Sequence, residues 1–162
     1  MSWEIVGSLG EIVGGLGVIV SLLYLARQIK GNTRSNQSAA ISSLTDQIQK
    51  VTLVDHAASE EYYLGLKGLD RLDDRGRLMF THRVTAMVIM WFNAFLQHER
   101  GLIPREFWAT FADDIASMYQ HKGFQEAWAM VGPGFPENFR DYVDSATQRE
   151  VNVDYIGMSE SA

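Results

Sequence analysis

Few residues in this sequence are spaced for chemistry, and those that are lie near its start. Gly7, Gly10, Gly14, Gly17 and Ser21 recur at steps of three and four, which puts small side chains along one face of a helix. Missing side chains let helix backbones approach, and Gly10 with Gly14 has the GxxxG spacing of a helix–helix contact. At the same steps the row continues through Tyr24, Gln28, Gly31, Ser35, Ser38, Ser42, Thr45 and Gln49. Two carboxylates one heptad apart, Glu4 and Glu11, stand on its flank. An acid in an apolar stretch is costly unless it attracts cations, bonds a neighbouring helix or reaches water. The row therefore fits a close-packed seam between copies, the wall of a pore ringed by Glu11 carboxylates, or, below Gly31, a solvated face.

Other residue types offer less. His56, His82, His98 and His121 lack the spacing of metal ligands. His98-Glu99, or Asp113-Asp114 with His121, makes a poor carboxylate-bridged pair without the Glu-x-x-His repeat of di-metal bundles. Ser38, Ser42 and Ser43 have no base nearby and no nucleophile elbow. Trp91, Phe92, Phe95, Trp108 and Trp128 recur at helical spacing and read as core. No catalytic residue, cofactor-binding residue or metal ligand is expected.

The element that must position the first row is the apolar run Ile5 to Ala26. Its length is about 33 Å as a helix, against roughly 30 Å of hydrocarbon. Twelve of its residues are Leu, Ile or Val, together favouring insertion by about 4 to 7 kcal/mol, which outweighs roughly 2.5 to 3.5 for Glu11 at mid-membrane. A cleaved signal peptide is disfavoured by Glu4 at the start and by the exit Leu23-Tyr24-Leu25-Ala26-Arg27-Gln28. The expectation is one transmembrane helix anchored by Trp3 and Tyr24. Arg27, Lys30 and Arg34 would hold its carboxyl end in the cytoplasm, leaving the N-terminus outside.

The chain has 162 residues, formal net charge −6 and no Cys. The acidic balance argues against a nucleic-acid partner, and the missing thiols exclude disulfide and thiolate chemistry. Four segments are expected: a membrane helix with its flanks over 1–30, a juxtamembrane helix over 31–54, a helical cytosolic domain over 55–150 and a flexible tail over 151–162. In the second, Ile41, Leu44, Ile48 and Val51 form a narrow apolar stripe like a coiled-coil seam, extending an interface between copies. In the third, a short helix ends at Gly68, a long one runs from Leu72-Asp73-Asp74 to Gly101, and Pro104 and Pro136 open two more. Gly123 punctuates the chain before Phe124 to Val131. Val84 to Leu96 is apolar nearly all round but too short to span, so it should be the central helix. No stretch alternates with period two. The class is all-α: one membrane helix leading into a bundle of about five helices.

The segments LYLARQIKGNTRSNQSAA, FNAFLQHERGLIPREFW and FPENFRDYVD together resemble a family of small bacterial proteins that has no assigned activity. The match is carried by Gln28, Asn32-Thr33-Arg34, Asn93, Phe95, Gln97, Gly101 and Trp108. The resemblance implies one N-terminal span in the inner membrane and a helical cytosolic domain. The function expected is a non-enzymatic homo-oligomeric scaffold or accessory subunit, with the lipid bilayer, further copies and a protein partner as its contacts. Tyr62-Tyr63 and Phe135 are its first docking candidates. The alternative is a cation-conducting pore.

Overall fold

A computed structural model describes residues 3–53 and 59–148, with side chains described over 14–51 and 60–146. The described residues are helical and contain no strand. The elements are α1 (Trp3–Leu53), α2 (Ser59–Lys67), α3 (Asp74–Glu99), α4 (Arg105–Tyr119), α5 (Lys122–Val131) and α6 (Glu137–Asp144). Short 3-10 turns cover Leu69–Arg71, Gly132–Gly134 and Ser145–Gln148. The chain divides into two compact units, Met1–Ala39 and Ala40–Ala162. The tail from 151 onward lies outside the described residues.

The expected transmembrane helix is corrected. Among the described residues, no helix is long and apolar enough to cross a membrane. The stretch of α1 that follows Gly14 runs into the charges of Arg27, Lys30 and Arg34, which lower its mean hydropathy. Gly14, Gly15, Gly17 and Ser21 dilute the hydropathy of that stretch further. The side chains of Ile5 to Val13 lie outside the described residues.

In the second unit the helix ends follow local chemistry. Asp73 caps α3, its side chain accepting from the Gly76 amide at 2.7 Å, which satisfies one of the open N–H groups of the first turn. At the other end Gly101 takes φ 66°. The Leu102 amide donates to the Gln97 carbonyl at 2.9 Å, and the Gly101 amide to the His98 carbonyl at 2.9 Å, closing the helix as a Schellman motif. Pro104 and Pro136 stand one residue earlier than expected, each as an extended N-cap, with Arg105 and Glu137 the first helical residues.

The core lies where the apolar middle of α3 meets the other helices. Val84, Val88, Trp91 and Ala94 have no exposed surface, and Met87, Met90 and Phe95 are buried beside them. Rings continue the packing: Trp91 meets Phe124 edge-on at 5.6 Å, Phe95 meets Phe139 at 5.4 Å, and Phe92 meets Phe139 at 5.1 Å. Aromatic rings prefer such offset and edge contacts. Of the stripe expected to extend an interface between copies, three members pack within this chain and Ile48 stands exposed. Leu44 is fully buried in this chain's own core, with Ile41 and Val51 packed against it. The same helix anchors through polar groups, since Asn93 donates to Gln47 at 3.1 Å and Gln97 to Asn93 at 3.2 Å.

Gly123 is a contact rather than a break. It lies buried within α5, and a Cβ there would run into the carbonyl of Gly65 on α2. A Cβ on Gly65 would in turn meet the Phe80 ring. α5 thus touches the α2 backbone, which only glycine permits at position 123, while the bare Cα of Gly65 makes room for the Phe80 ring of α3. Gly123→Ala should therefore destabilise the second unit by roughly 3 kcal/mol or more, the obstruction being backbone that cannot swing aside. Gly101→Ala should cost about 1 to 2 kcal/mol for its left-handed conformation. Urea unfolding followed by tryptophan fluorescence checks both.

Candidate functional site: an exposed apolar segment and two acid–indole clusters

The residues singled out near the chain's start lie on α1, and they divide by whether their side chains are described. Those of Trp3, Glu4, Gly7, Gly10 and Glu11 lie outside the described residues. Gly14 and Gly17 have open space where a Cβ would stand. Ser21 folds back on its own helix, its hydroxyl donating to the Gly17 carbonyl at 2.8 Å. Tyr24, Arg27, Gln28, Lys30, Arg34, Ser35, Ser38 and Ser42 are all exposed. Helical spacing keeps the small and polar members on one face.

What spacing alone did not bring out is the surface between them. Leu16, Val18, Ile19, Val20, Leu22, Leu23, Tyr24, Leu25 and Ile29 are each more than half exposed, Tyr24 reaching 71%. At 100° per residue these positions cover every side of the helix except the face of Gly14, Gly17, Ser21 and Gln28. Contiguous exposed apolar surface of this kind marks an interaction site.

The second unit holds two clusters in which a carboxylate receives an indole. Trp91 Nε1 on α3 donates to Asp114 Oδ2 on α4 at 2.7 Å. Trp128 Nε1 on α5 donates to Asp144 Oδ1 at 2.7 Å, and the Tyr119 hydroxyl donates to the same oxygen at 3.2 Å. Burial pushes the Tyr119 phenol above its ordinary value, and the Asp144 charge adds to the shift. Burial likewise raises Asp114, against a smaller opposing pull from the Trp91 hydrogen bond. Sequence reading weighed Asp113-Asp114 with His121 as a metal pair and set it aside as poor. Asp114 instead serves Trp91, and His98 stacks on Trp108 at 5.2 Å with 9° between the rings. Among the described residues no three His, Asp or Glu side chains gather as metal ligands would.

The expected docking aromatics are reassigned in part. Phe135 packs inward on Phe92, Trp128 and Phe139. Tyr62 packs on Phe80 at 5.7 Å beneath the Arg83 guanidinium, 3.8 Å above its ring. Tyr63 is exposed, with the Lys67 ammonium 4.3 Å over its ring. A shallow groove of about 700 Å³ opens between α3, α5 and the Leu69–Arg71 turn, floored by Leu78, Ala129 and Met130. Its charged rim is internally paired. Lys122 reaches Asp70 at 3.0 Å and Glu126 at 3.4 Å, and Glu126 accepts from the Leu69 amide at 2.7 Å.

The chain matches no protein-family model, no curated protein and no solved structure. The site must be read from its own geometry. Asp144→Ala should leave the Trp128 and Tyr119 donors without their acceptor and cost roughly 1 to 3 kcal/mol. Asp144→Asn, which keeps a carbonyl oxygen, should cost less. Thermal unfolding of the two variants side by side tests the ordering.

Proposed function

We propose that the protein is a non-enzymatic, self-associating scaffold: copies join through the apolar part of α1, and the unit from Ala40 onward presents its helical surface to other proteins. The observation that carries this is the exposed apolar surface from Leu16 to Ile29. Leaving it in water costs about 25 cal/mol per Å². One partner helix covers one side only, whereas several copies of α1 packed together cover all of them. The glycines support the same reading. Gly14, Gly15 and Gly17 have no atom of their own chain near the missing Cβ, so their bareness serves no internal contact, while an approaching backbone would use it. Asp114 and Asp144 give further support, because each is engaged by a tryptophan side chain of its own unit. A cation pore and an inner-membrane location both presuppose a transmembrane helix, and they form no part of the proposal.

Light scattering on the purified full chain should give a multiple of the 18.2 kDa monomer mass. Ile19→Glu with Leu23→Glu should return it to the monomer at unchanged helicity by circular dichroism. Gly14→Leu with Gly17→Leu should lower the mass as well, since the added side chains obstruct only a neighbouring copy. A wild-type chain that stays monomeric at every concentration overturns the reading.

A further inference from the structure

Asp114 is a half-buried carboxylate whose hydrogen bond is to a neutral donor, the Trp91 indole. Among the described ion pairs none includes it. Met118 lies four residues further along α4 and so on the same face. Across that face lies Tyr62 of α2, its hydroxyl donating to Met118 Sδ at 3.8 Å. A thioether is a weak acceptor. The Tyr62 phenol is pushed up to about 12, by burial first and by the Asp114 charge second. It therefore keeps its proton and sits within electrostatic reach of the acid. Asp144 takes an indole and a phenol on one oxygen; around Asp114 the phenol is turned to sulfur instead. Through Tyr62, α2 reaches the face of α4 that carries the acid.

The groups facing Asp114 are Tyr62 from α2, the Trp91 indole from α3 with Phe124 of α5 edge-on behind it, and Met118 from α4 itself. The cation placed on this cluster is Arg83, held over the Tyr62 ring. α2, a helix of nine residues, is held by the Gly65–Gly123 backbone contact, the Tyr62–Phe80 rings and the buried Leu66 side chain.

We propose that Asp114 is a proton-operated latch for α2: the neutral acid lets α2 seal over α4, and the charged carboxylate loosens it. Burial holds Asp114 above its ordinary value of 3.8 when α2 is docked, and lifting α2 returns it to water. The docked form thus binds the proton more tightly than the opened form. Docking is strongest below 3.8 and weakens as pH rises from there through the raised docked value, above which it is constant. One linked proton limits the change to about tenfold in the opening equilibrium per pH unit.

Amide hydrogen exchange of the full-length protein, corrected for the intrinsic pH dependence of exchange, reads this directly. Protection of Ser59–Lys67 should fall as pH rises through that window, by up to about tenfold per unit, while protection of α3 stays level. Asp114→Asn, which keeps an oxygen for Trp91, should hold α2 protected at every pH. Constant α2 protection in the wild type, or the same slope in Asp114→Asn, overturns the latch. Should that variant fail to fold, the Trp91 indole proton shift of the wild type replaces it. If the indole titrates with α2 protection, the latch stands; if it titrates while α2 protection stays constant, the latch is overturned.

Discussion

A tryptophan can be buried only if its N–H finds an acceptor, and the second unit is built around meeting that demand twice. Trp91 lies at the centre with no exposed surface, where an unmet indole donor would cost roughly 1 to 3 kcal/mol. Asp114 meets it from α4, and Asp144 does the same for Trp128. Each bond ties a helix of the aromatic core to a carboxylate elsewhere in the chain. The geometry of α3 against α4, and of α5 against the end of α6, follows from where those acids stand. The rings between them, Trp91 on Phe124 and Phe124 on Trp128, extend the arrangement as one packed series.

Close approach is the second constraint. α2 is short and carries few apolar side chains, so it cannot dock by burying area alone. It docks because Gly123 lets α5 lie against the backbone of α2 and Gly65 makes room for the Phe80 ring of α3, leaving Tyr62 and Leu66 to reach the core.

Along α1 the environment changes within a single secondary-structure element. Leu44 is as buried as any residue of the core, while the side chains from Leu16 to Ile29 stand exposed. Both stretches are apolar and both are helical. The difference is that the first has partners in its own chain and the second, if covered, takes its cover from other molecules.

Much of this was legible in the amino-acid order. Helical periodicity, Asp73 as a cap, Gly101 as a stop and the apolar centre of α3 are local properties, set by hydrogen bonding and side-chain size within a few residues. They come through wherever the chain sits. The stripe through Leu44 was equally legible as apolar, but its destination was not, because periodicity tells which face is buried and never against what. Gly123 read as a break for the same reason: a missing Cβ permits a turn or a contact, and only the neighbour at Gly65 decides between them. The roles of Asp114 and Asp144 were invisible in sequence, since each acid lies 23 or 16 residues from the indole it serves and no local pattern links them. The span expected from Ile5 to Ala26 was the largest departure. Hydropathy sums residues one by one, whereas crossing a membrane requires uninterrupted apolar length, and the described residues supply no helix with enough of it.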